Sequence, residues 1–114
     1  MSGRSVTSSR SAVKPARALR AIKPHAAKAA DLLKALANEQ RLMILCNLLE
    51  RPLSVGEINE RVDLSQSALS QHLAVLRESN VVVATRDAQT IRYSLPQGVV
   101  TRIIGVLYKE FCES

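Results

Sequence analysis

The 114-residue chain predicts a mainly α-helical domain with one small β-hairpin, and three patterns in it predict that class. Apolar residues recur at the i, i+3, i+4, i+7 spacing of one helix face in several segments. Two β-branched runs, VVVATR and TIRYSL, flank Asp87-Ala88-Gln89, which is the pattern of a two-stranded hairpin. Capping residues and prolines mark where the helices begin and end.

The elements follow in order. His25 to Leu36 has high helix propensity and a stripe of Ala29, Leu32, Leu33 and Leu36. Asn38 is the expected N-cap of a second helix reaching Leu49. Its stripe of Leu42, Leu45, Cys46 and Leu49 puts the thiol on the buried face. Arg51-Pro52 ends that helix, since proline lacks an amide and restricts the residue before it.

Ser54-Val55-Gly56-Glu57 is a capping box that opens a third helix, Val55 to Val62. Asp63-Leu64-Ser65 is a polar turn, and Ser65 caps a fourth helix, Gln66 to Glu78. After the hairpin, Pro96 leads into a last helix from Gln97 to Phe111, with Val100, Ile103, Ile104, Leu107 and Phe111 in line. The architecture expected is a winged helix-turn-helix with five helices and a two-stranded wing.

The net charge is +6, but its placement matters more than its sum. Arg4, Arg10, Lys14, Arg17, Arg20 and Lys23 fall in residues 1–24 with no acid, whereas residues 25–114 hold 10 basic and 10 acidic side chains. The first 24 residues, rich in Ser, Ala and Arg, read as a basic, disordered arm. That arm fits a contact to DNA phosphates, a solubilising tail or an organellar targeting peptide. Residues 25–114 form the domain proper. No apolar run reaches the length of a membrane span and no signal-peptide core follows the N-terminus, so a cytoplasmic protein is expected.

The segment Ser54 to Glu78 has the layout of a helix-turn-helix whose second helix enters the major groove. Leu69, His72, Leu73 and Leu76 form its inward stripe, and His72 is expected as a packed or hydrogen-bonded core histidine. Gln66, Ser67, Ser70 and Gln71 project from the other side as hydrogen-bonding groups suited to base edges. No Lys or Arg lies between Asp63 and Leu76. Phosphate contacts are therefore assigned to Arg77 and to the wing, through Arg86, Gln89 and Arg92. No acid–base pair in a cleft and no phosphate-cradling glycine loop is present, so an enzyme is not expected.

From about Ala30 to Cys112 the chain resembles the arsenic-repressor (ArsR) family of winged helix-turn-helix transcription factors, in LLKALANEQRLMIL, LSQSALSQHLAVLRESNVV and RDAQTIRYSL. The resemblance implies a homodimer built on the first and last helices, bound to a near-palindromic operator and released by a chemical inducer. Surplus apolar surface on those two helices points the same way. A two-fold dimer would set two recognition helices roughly 34 Å apart, one DNA turn.

Many members of the family sense metals. The family's Cys-Val-Cys motif falls here on Ser54, Val55 and Gly56, and Val99 to Glu113 holds no Asp or His. No metal site and no cofactor is therefore expected at those places. What remains is Cys46 and Cys112, each of which taken alone reads as a small buried filler. Together they match the sulfide- and persulfide-responsive branch of the family typified by BigR, SqrR and YgaV, in ILC on the second helix and an aromatic-Cys pair at the end of the last.

The branch resemblance implies that one thiolate attacks a reactive sulfur species or oxidant and the other resolves it, closing a disulfide or polysulfide bridge. Family precedent favours Cys46 as the attacker, while terminal exposure favours Cys112, and Arg41 or Lys109 are available to lower a neighbouring pKa. Two other readings stay open: a thiophilic metal sensed by the same thiols, and a constitutive DNA-binding winged helix whose cysteines only pack.

Overall fold

The structure, a computed structural model, describes residues 15–113. The expectation of disorder for residues 1–14 lies outside them. The chain divides into two units, residues 1–30 and 31–114, so the division falls a few residues after the arm boundary expected at Pro24. Within the first unit, Pro15–Ile22 is helix (α1), followed by a 3-10 turn at Lys23–His25. Helix thus occupies residues 15–22 within the stretch expected as a mostly disordered basic arm up to Pro24. Proline at the first helical position and the alanines at 16, 18 and 21 favour a helix despite the flanking charges.

The five predicted helices are α2 (Ala26–Leu36), α3 (Glu39–Asn47), α4 (Val55–Arg61), α5 (Gln66–Glu78) and α6 (Val99–Cys112). α3 stops at Asn47, two residues short of expectation, and α6 starts at Val99 because Gly98 precedes it at φ 119°. Only glycine takes up that backbone readily. Asn38 caps α3 by accepting from the amide of Arg41 at 3.0 Å. Ser65 caps α5 by accepting from the amide of Ala68 at 3.1 Å.

α5 ends on a left-handed Asn80, φ 60°. The amide of Val81 donates to the Leu76 carbonyl at 2.8 Å and that of Asn80 to the Arg77 carbonyl at 3.1 Å. This pairing closes the helix in a Schellman motif and turns the chain toward the wing.

The wing strands β2 (Val83–Asp87) and β3 (Thr90–Ser94) pair antiparallel through Thr85↔Arg92, with Asp87↔Thr90 closing a two-residue loop. The sheet has a third strand that the sequence reading left as a connection. β1 (Leu53–Ser54) pairs with β3, Leu53 opposite Tyr93 and Ser54 opposite Arg92, giving the order β1-β3-β2. A two-residue strand has no alternation to detect. Ala88 in the loop sits at φ 59° without the side-chain freedom that glycine has there. Ala88→Gly is expected to raise stability by about 1 kcal/mol, net of the entropy glycine adds to the unfolded chain; chemical denaturation checks it through the midpoint.

The core of the second unit draws mainly on its helices, on β1 and on the segment after α5. Ile44 and Leu45 from α3, Leu53 from β1, Ile58 from α4, Leu69 and Leu76 from α5, Val81, and Ile104 from α6 are all fully buried. Each such side chain contributes about 1.5–3 kcal/mol by leaving water. α3 lies at the centre, packed against α4, α5 and α6. It is thus packed on α6 and on both helices of the helix-turn-helix.

Candidate nucleic-acid interface and dithiol site

Leu69, Leu73 and Leu76 anchor α5 in the core, which turns the opposite side of the helix to solvent. Gln66, Ser67, Ser70 and Gln71 are exposed there, as are Arg77 after them and Arg86 and Gln89 on the wing. His72 is half-buried at the edge of the stripe rather than enclosed. The turn before α5 is fastened by Asn59, whose Nδ2 donates to the Leu64 carbonyl at 2.9 Å. Sequence reading had passed over Asn59, because one polar residue on a short helix carries no signal of its own.

Ser70 and Arg77 also border a cavity of about 470 Å³ between α5 and the wing, lined further by Val55, Leu73, Ala74, Glu78 and Tyr93. They stand at the seam between recognition helix and wing.

Arg92 is placed differently from the other wing residues. It is half-buried, its Nη1 donating to Glu57 Oε1 at 3.1 Å and its Nε to Asp87 Oδ2 at 3.2 Å. Its charge is thus largely spent inside the protein. Glu57 completes the capping box, accepting from the Ser54 amide at 2.9 Å while its own amide donates to Ser54 Oγ at 3.2 Å. Arg51 adds a third donor to the carboxylate at 3.4 Å. One carboxylate therefore ties helix start, strand β1 and wing together, a link that the sequence showed only as a cap.

The backbone hydrogen bond from the Ser54 amide holds the Glu57 pKa below the ordinary carboxylate value; desolvation opposes it, and Arg51 and Arg92 add to the lowering. A lowered folded-state pKa gives stability that is present above the unfolded carboxylate range and lost as pH falls through the folded value. In Glu57→Gln the amide can still serve the cap but loses both ion pairs. Thermal unfolding followed from pH 7 downward is expected to show a shallower acid limb in the variant than in the parent.

Cys46 and Cys112 are both free thiols. Cys46 sits on α3, half-buried against the core, and Cys112 is the exposed last residue of α6, the helix packed on α3. Burial raises the Cys46 pKa above the ordinary thiol value, and the charge of a Cys112 thiolate raises it further.

Arg41 does not activate Cys46. Its Nε donates to the Ala35 carbonyl at 2.6 Å and its Nη2 to the Lys34 carbonyl at 3.3 Å, closing the end of α2. Among the described residues no group of three or more His, Cys, Asp or Glu side chains is placed to hold a metal ion. Nor is any described helix long and apolar enough to cross a membrane.

Comparison with known proteins agrees with this architecture. Residues 38–83 match the family model described as bacterial regulatory protein, arsR family. The transcriptional activator HlyU of Vibrio cholerae is 49% identical over 96 residues, spanning 84% of this chain and 89% of that one. The biofilm growth-associated repressor of Agrobacterium fabrum is 43% identical over 94 residues, 82% of this chain and 80% of that one.

Among solved structures, reduced HlyU from Vibrio cholerae superposes with a TM-score of 0.76 at 50% identity, covering 82% of this chain and 99% of that one. The transcriptional repressor BigR from Xylella fastidiosa gives 0.72 at 38% identity, covering 82% and 95%. These relatives are transcriptional regulators and not enzymes. The chain belongs to the arsR family of bacterial regulatory proteins and is a DNA-binding transcriptional regulator with a winged-helix fold.

Proposed function

We propose that the protein is a homodimeric transcriptional repressor that leaves its operator when Cys46 and Cys112 become bridged by a reactive sulfur species. The observation that supports this reading is the placement of two free thiols on helices packed against each other, Cys46 on α3 and Cys112 at the end of α6. The dimer draws support from the uncovered part of the α6 stripe. Val100 and Ile104 are buried, Ile103 and Leu107 only half-buried, and Phe111 is 76% exposed. A partner α6 would cover that face. Two of the relatives carry repressor in their names and HlyU carries activator; the switch acts on DNA occupancy under either sign.

The ordering of the thiols supports Cys112 as the attacking group. It is exposed, whereas burial and the Cys112 charge raise the Cys46 pKa and so disfavour its thiolate. The Cys112 thiolate attacks an organic persulfide, RSSH, at its carbon-bound sulfur, forming a mixed disulfide and expelling hydrosulfide. With the Cys112 charge gone, Cys46 ionises more readily, attacks the Cys112 sulfur and expels the thiolate RS⁻. Two thiols lose two electrons, and the persulfide gains them as one thiol and one hydrogen sulfide. Where both cysteines instead carry one added sulfur, condensation releases hydrogen sulfide and leaves a trisulfide, which tolerates a longer span than the 4.4–6.8 Å between Cα atoms usual for a disulfide.

Either bridge draws α6 toward α3, and α3 packs against both helices of the DNA-reading pair. A displacement of about 1–2 Å at such a packed interface is enough to respace two recognition helices. The test is DNA binding by the reduced protein before and after treatment with glutathione persulfide, with intact mass read in parallel. Loss of binding together with a bridged mass is expected. Bridged protein that still binds, or release without any change of mass, overturns the reading.

A further inference from the structure

DNA is a dense line of negative charge, and the unit built of residues 31–114 is poorly equipped to meet it. It carries 9 basic and 10 acidic side chains, a net charge of −1. Three of those cations already have partners within the protein: Arg41 on helix carbonyls, Arg51 on Glu57, and Arg92 on Glu57 and Asp87. α5 has no basic side chain before Arg77.

All the surplus charge lies in the other unit, whose 7 charged residues are all basic. Arg17, Arg20, Lys23 and Lys28 are exposed there, with no carboxylate partner recorded among the described residues. α1 sorts its side chains by face. Arg17 and Arg20, three positions apart, lie on one side, and Leu19 and Ile22, 63% and 50% exposed, lie on the other.

We propose that the Arg17–Arg20 face of α1 is a second DNA-binding surface, specific for the phosphodiester backbone rather than for base sequence, and that it supplies much of each protomer's electrostatic affinity. Such binding is salt-dependent, because each phosphate neutralised releases counterion. An anionic membrane is the other surface a basic amphipathic helix can meet. Two large apolar residues on eight positions give it little to insert, and the rest of the chain is built to read DNA.

The test uses the full chain, reduced throughout, so that its outcome is independent of the thiol reading. Affinity for a mixed-sequence duplex of about 30 base pairs is measured by fluorescence anisotropy over roughly 50–200 mM salt, where binding needs no operator. In the Arg17→Gln, Arg20→Gln variant the slope of log affinity against log salt should flatten by about 1.8 per protomer, two phosphates at roughly 0.9 each. The Arg17→Lys, Arg20→Lys variant should keep the parental slope, since charge alone is required. An unchanged slope in the glutamine variant overturns the proposal. So does an unchanged slope accompanied by loss of binding to phosphatidylserine vesicles, which would assign α1 to a lipid surface.

Discussion

Cys112→Ser is expected to remain on DNA under a persulfide dose that strips the parent, and to gain no mass. Cys46→Ser should separate from it by mass. Its Cys112 still attacks, so the variant keeps one added RS group, yet it forms no bridge and stays bound. The parent should lose at least about tenfold in affinity, or 1.4 kcal/mol, and each variant less than about twofold. Exchanging one sulfur for oxygen at a half-buried site leaves the fold in place, so retained DNA binding in both reduced variants serves as the control.

The pH dependence follows from the same pair. Burial and the Cys112 charge raise the Cys46 pKa above the ordinary thiol value, so its thiolate becomes more abundant as pH rises. Iodoacetamide should therefore label Cys46 faster at pH 9 than at pH 7, and faster again in Cys112→Ser, where one of the two causes is gone. A group with a raised folded-state pKa stabilises the fold fully below its unfolded value. That contribution disappears as pH climbs through the folded value.

The second large effect is structural. Leu45 precedes Cys46 on α3, is fully buried, and lies on the helix packed against α4, α5 and α6. Leu45→Ala removes a side chain at the point where those elements meet, and the tightly packed surroundings cannot fully collapse into the space. A loss of about 3–4 kcal/mol is expected, within the range for buried leucines, and it is a large share of the 5–15 kcal/mol that typically holds a domain together. Leu42 on the same helix and Leu49 just beyond its end are only half-buried, and their alanine variants should cost roughly half as much. Denaturant titration that ranks Leu42→Ala above Leu45→Ala would contradict this account of the core.

Much of the fold was legible because its signals are local. Asn38, Ser54 and Ser65 announce helix starts through their own side chains, and the β-branched runs around Asp87-Ala88-Gln89 announce the wing. What escaped was either too short or too distant in sequence. β1 spans two residues and exists only by pairing with β3. Arg92 lies 35 positions from Glu57, so the ion pair that turns a wing arginine inward has no signature along the chain.

α1 was hidden for another reason: the charge and polarity that suggested disorder in residues 1–24 are sorted by face between Pro15 and Ile22. The thiol pair was legible as a resemblance. Its ordering was not, because the pKa of Cys46 depends on burial and on a neighbour at the far end of the chain.

The most direct test of the central claim is peptide mapping, without reduction, of the protein released from DNA by persulfide. The account predicts that the released fraction contains the Cys46 and Cys112 peptides joined within one chain by two or more sulfur atoms, and that the DNA-bound fraction does not. Released protein in which the two cysteines are modified separately, or joined only between chains, would contradict it.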